Sequence, residues 1–140
     1  LSLNNPVISG DGSNQNEIQK MALTLFGIPN CDTVKKARAW LTQRGVEYEF
    51  HDYKRFGTDA ETLARWADAI GWDRLLNRAG TTYRKLPEAD KKGVEGPDAR
   101  SCAIAIMSAH PSTIKRPVVD GDGLLLVGFK ADDWATSFPA

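Results

Sequence analysis

Apolar residues in this chain switch between a spacing of two and a spacing of three to four, and each switch marks an element. Leu23–Phe26 reads as a buried strand, and 33–44 as a helix with Val34, Ala37, Trp40 and Leu41 on one face and Gly45 as its stop. Val46–Asp52 alternates as a strand. Thr58 to Ile70 predicts a second helix, with Thr58 and Glu61 in a capping-box pattern, Leu63, Ala64, Ala67 and Ile70 as its stripe and Gly71 as its end. Trp72–Tyr83 reads as a short helical turn and a loop, and Lys91–Pro97 as loop. Asp98 caps a helix to about Ala109, with Ala99, Cys102, Ala103, Ile106 and Met107 facing inward, and His110-Pro111 ends it. Val118-Val119 and Leu124–Val127 are strands flanking Asp120-Gly121-Asp122-Gly123, a hairpin signal. A short helix around 132–138 closes the pattern.

The resulting order is β-α-β, a helical insert, then β-β-α. This is an α/β fold of the thioredoxin-like kind, with the first helix N-terminus at the sheet edge. Residues 1–20 stand apart: they are rich in Asn, Ser and Gly, and their few apolar residues have no period. They lack the basic and apolar regions of a secretory signal. Met21 reads as the natural start, with 1–20 an appended, disordered leader and 21–140 one domain.

Lys+Arg and Asp+Glu are both 18 in 140 residues, so a zero net charge gives no pull toward nucleic acid. No apolar run approaches the roughly 20 residues of a membrane span. Two cysteines far apart argue for a reducing, cytoplasmic setting rather than a disulfide scaffold. The two histidines, His51 and His110, have no ligand spacing to a cysteine, so no metal or bound cofactor is expected.

Cys31 carries the candidate chemistry. It stands between a strand and a helix in Phe26-Gly27-Ile28-Pro29-Asn30-Cys31-Asp32-Thr33-Val34-Lys35-Lys36. A helix N-terminus offers unpaired N–H groups and partial positive charge, which favour a thiolate. Lys35, one turn on, is placed to lean over that thiolate. On spacing alone, a small buried residue closing the strand-helix joint fits equally well. Arg116-Pro117, directly before a strand, is a candidate cis peptide that would lie against the thiol. Cys102, on an apolar helical stripe, reads as core, and Val34 in place of a second cysteine removes any C-x-x-C pair. The four tryptophans read as packing residues, Asp120 and Asp122 as turn formers, and Arg38, Arg44, Arg55, Arg65, Lys91 and Lys92 as solvated charges.

Three segments together resemble the arsenate reductase ArsC/Spx family, in its YffB branch: Gly27–Ala37, Leu75–Tyr83 and His110–Val119. The resemblance implies a thioredoxin-like domain whose Cys31 is the nucleophile, with glutathione as co-substrate and glutaredoxin as a possible partner. It places Asn30, Thr33, Lys35, Arg78, Arg116 and Pro117 around a small thiol or oxyanion substrate. Spx-like members instead bind the RNA polymerase alpha subunit. The family's reductases carry a histidine where this chain has Gly27, a serine at Val34 and an arginine at Asn77. A further arginine of those reductases falls at Gly128-Phe129-Lys130, where only Lys130 is basic in this chain. Those departures favour glutathione or another small thiol over arsenate, since an oxyanion needs several converging donors.

Overall fold

A computed structural model of the chain describes residues 23–138, so the expected leader and start at Met21 lie outside the described residues. The strands are β1 (Thr24–Gly27), β2 (Glu49–Asp52), β3 (Val118–Gly121) and β4 (Leu124–Val127), in the sheet order β2-β1-β3-β4. β1 runs parallel to β2 and antiparallel to β3, and β3 pairs antiparallel with β4. The helices are α1 (Asp32–Gln43), α2 (Tyr53–Phe56), α3 (Ala60–Ile70), α4 (Trp72–Leu75), α5 (Thr81–Arg84), α6 (Glu88–Gly93), α7 (Ala99–Ala109) and α8 (Ala131–Ser137). A 3-10 turn, Pro111–Thr113, leads from α7 toward β3.

The register explains why this sheet has two covered faces. Phe50, Leu25, Val119 and Leu126 lie opposite one another across the four strands. They belong to the cluster containing Val34, Ala37 and Leu41 of α1 and Trp134 of α8. One residue along, His51, Phe26, Val118 and Val127 form the next row. Val118, with Phe26 and Val127 packed beside it, joins the cluster made by the helical insert, with Leu63, Trp66, Leu75, Ile106 and Met107. The alternation of each strand therefore sends successive side chains to different cores.

Most predicted elements are present, and the differences have local causes. The second strand begins at Glu49 rather than Val46, because Val46 donates its N–H to Leu41 and the chain is still leaving α1. Asp59, not Thr58, caps α3: its carboxylate accepts the Thr62 N–H at 2.8 Å, while Thr58 is buried. Trp66, absent from the predicted stripe of that helix, is fully buried and gives its indole N–H to Asp120 at 2.8 Å. Asp120 is thus a strand residue tied to α3 rather than a turn former. The turn is Asp122-Gly123, with φ of 53° and 78°, the positive pair of a two-residue hairpin. The stretches read as loop contain most of α5 and the second half of α6, which are too short to show a period. No helix among the described residues is long and apolar enough to cross a membrane.

Candidate active site

β1 ends at Gly27, and the chain turns through Pro29-Asn30 into Cys31. Cys31 is the residue before α1, extended at φ −136° and ψ 124°, with the first helical amides ahead of it. The joint is closed tightly from below: a Cβ placed on Gly27 would lie 2.8 Å from Cγ2 of the fully buried Val34. A second segment arrives from far along the chain. Asn77 gives its N–H to Thr113 O at 2.7 Å and Lys115 gives its own to Leu75 O at 2.9 Å, around the bridge Leu76–Ile114. That clasp fixes the approach to Arg116-Pro117, whose peptide is cis. Pro117 O accepts the Gly128 N–H at 2.8 Å, which brings the end of β4 alongside. Cys31, Thr33, Asn77, Lys115, Arg116 and Gly128 together line an open cavity of about 310 Å³.

The cavity favours an anion at the sulfur. Partial burial alone would push the Cys31 thiol up, but the Val34 N–H, the Arg116 guanidinium and the Thr33 N–H outweigh it and hold the thiol below its ordinary value. The sulfur makes no capping hydrogen bond of full geometry. A thiolate is a large, soft acceptor, so the longer approach of these donors still counts in its favour. Arg116 is itself held in place: its Nη1 donates to Ser112 O at 3.0 Å.

A model described as the ArsC family matches residues 26–137. The chain belongs to the ArsC family. It is 51% identical to the solved YFFB protein, covering 83% of this chain and 98% of that one with a TM-score of 0.77. It is 48% identical to an arsenate reductase (ArsC) related protein from Brucella melitensis, covering 94% of this chain and all of that one, TM-score 0.64. Among more distant relatives, the global transcriptional regulator Spx of Streptococcus mutans is 25% identical over 120 residues, 84% of this chain and 83% of its own. The thioredoxin-like fold expected from the order of elements is that of these ArsC-family neighbours.

Within this ArsC-family site, the residues expected from sequence divide into two groups. Cys31, Thr33 and Arg116 come together at the cavity, with the Arg116-Pro117 peptide behind them. Asn30 and Lys35 are exposed and line no part of it. Lys35 sits a turn up α1, and the cation acting on the thiol is Arg116 instead. Arg78 turns away, its guanidinium carbon 5.5 Å from the Trp72 ring centre, because the clasp directs its neighbour Asn77 to the cavity. Lys130 lines a different groove beside β4, and Gly128 takes the cavity position at φ 77°, a conformation that favours glycine.

Sequence reasoning missed Asn77 and Lys115 as lining residues and Tyr53 altogether. Lys115, directly before Arg116, was the one with a usable signal. Tyr53 is fully buried in α2, and its hydroxyl has no hydrogen-bond partner. Cys102 lies on the inner side of α7, half-buried against the insert core rather than enclosed by it. It lines a second cavity of about 310 Å³ with Gly93 and His110.

Proposed function

We propose that the protein is a cytoplasmic, glutathione-linked thiol reductase that works through Cys31 alone. The observation that carries the reading is the Cys31 sulfur at the start of α1, sharing one cavity with Arg116 of the cis-proline segment, so that helix amides and a guanidinium both favour the thiolate. In the proposed cycle, the Cys31 thiolate attacks the glutathionyl sulfur of a mixed disulfide R–S–S–G. The Cys31–SG bond forms and RS⁻ leaves. The thiolate of a second glutathione, or of a glutaredoxin, then attacks the glutathionyl sulfur and releases the Cys31 thiolate. With glutathione, RSSG and GSH become RSH and GSSG, so atoms and electrons balance. Thr33, Lys115, Arg116 and Asn77 surround the space where the carboxylates of glutathione can be met.

Arsenate fits this cavity less well. Its lining holds one arginine, an amide at Asn77 and no hydroxyl at Val34, and the space beside Gly27 is filled by Val34. Incubation with oxidised glutathione followed by intact-mass measurement tests the main reading. A single glutathionyl adduct, lost in Cys31→Ser, is expected; absence of any adduct would overturn it. The likeness to proteins named Spx supports a second reading, binding to the RNA polymerase alpha subunit. A pull-down with the alpha C-terminal domain that captures nothing removes that reading.

A further inference from the structure

Among the described residues, three buried side-chain polar atoms make no hydrogen bond: Tyr53 Oη, Thr58 Oγ1 and Arg116 Nε. Two of these three belong together. Arg116 Nη1 is anchored on Ser112 O at 3.0 Å, and Ser112 lies in the 3-10 turn Pro111–Thr113. The short helix α2, which begins with Tyr53, packs on that same turn. Tyr53 and Arg116 are therefore held by one piece of backbone. Burial pushes the Tyr53 phenol well up, and the Arg116 charge acting on it offsets this only in part, so the phenol stays neutral. Their chemistry is complementary: a guanidinium Nε can only donate, and a phenol oxygen can accept. The Nη1 bond to Ser112 holds one corner of the guanidinium, and a second bond at Nε would also fix its plane.

We propose that Tyr53 is a positioning residue, whose Oη accepts the Arg116 Nε–H as the guanidinium turns onto the Cys31 sulfur. Tyr53 touches no substrate; it holds the charge that stabilises the thiolate. The proposal rests on the reading of Cys31 as the reactive thiol and adds the part that keeps it reactive. The charged groups facing the sulfur across the cavity are Arg116 and Lys115, while Asp32 and Lys35 of its own helix are exposed. Beside Arg116, the titratable neighbour of Tyr53 is His51, with ring centres 6.4 Å apart.

The test is the pH dependence of iodoacetamide alkylation at Cys31, resolved by peptide mass spectrometry. It is run on the full chain, Tyr53→Phe, Arg116→Gln and the double variant. Tyr53→Phe is expected to raise the midpoint, lowering the thiolate population at a fixed pH below it about threefold. In the Arg116→Gln background it should add nothing, because the effect passes through Arg116. If Arg116→Gln does not fold, Arg116→Lys serves as the background. An unchanged midpoint in Tyr53→Phe, or the same shift in both backgrounds, overturns the role of Tyr53. An ordinary midpoint in the unmodified chain overturns the reading of Cys31 and this proposal with it.

Discussion

The two cysteines occupy similar degrees of burial and very different positions on their helices. Cys31 precedes α1, where the amides ahead of it have no helical carbonyl to bond. Cys102 lies inside α7, and its N–H is already given to Asp98 O at 3.0 Å. Arg116 reaches the Cys31 sulfur from a distant segment, whereas the Cys102 sulfur faces Gly93, close enough that a Cβ there would lie 2.8 Å away. Partial burial is common to both thiols, so burial does not separate them. What separates them is the supply of free donors, which comes from the helix start and from the clasp carrying Arg116.

The largest effects are expected when the cysteines are replaced one at a time. Cys31→Ser is expected to reduce glutathionylation and any coupled reductase turnover to background, while Cys102→Ser leaves both within about twofold. Intact mass and an NADPH-coupled glutathione assay read the two outcomes. Next comes Arg116→Gln. Without the guanidinium, burial weighs more heavily and the Cys31 midpoint should rise, lowering thiolate at acidic pH about tenfold. Because the folded thiol is lowered, reactivity appears as pH rises through that lowered value, and the variant moves the rise toward the free-cysteine range.

Two glycines sharpen the packing side. Gly27→Ala drives a methyl into Val34, a β-branched side chain with little rotamer freedom, and should cost about 1–3 kcal/mol in urea unfolding. Adding Val34→Ala should recover part of that loss. Gly93→Ala meets the Cys102 sulfur at 2.8 Å, which can turn aside, and its Cβ at 3.2 Å, which must give by a few tenths of an ångström, and should cost about 1 kcal/mol.

The smallest expected effect lies away from both thiols. Asp120 accepts from Trp66 and Arg65, each at 2.8 Å. Burial pushes its carboxyl up, but those donors prevail and hold it below the usual range. Its contribution to stability is therefore present above the unfolded carboxylate value and is lost as pH falls through the lower folded one. Asp120→Asn should cost about 1 kcal/mol at neutral pH and less in acid, by denaturant melts across that range.

The sheet and its long helices were legible in the sequence because they bury whole periodic faces. Leu23–Phe26, Val34-Ala37-Leu41 and the Asp122-Gly123 hairpin need little context beyond their own pattern. The helices α5 and α6 were not, because four to six residues cannot display a helical period. At the site, Cys31 and Arg116-Pro117 could be read from local grammar. Which cation faces the sulfur could not. Lys35 is near in sequence and exposed, whereas Arg116 is distant and is delivered by the hydrogen bonds of Asn77 and Lys115. Likewise Asn77 rather than Arg78 lines the cavity because the bridge at Leu76–Ile114 sets which neighbour turns inward.

The most direct test of the account compares the two thiols in one unmodified protein. Alkylation rates of Cys31 and Cys102 are followed together across pH by peptide mass spectrometry. A thiolate stabilised at Cys31 requires that Cys31 react first, with a midpoint below the value of roughly 8.5 for a free thiol. A Cys31 midpoint at or above that value, or faster labelling of Cys102, would contradict it.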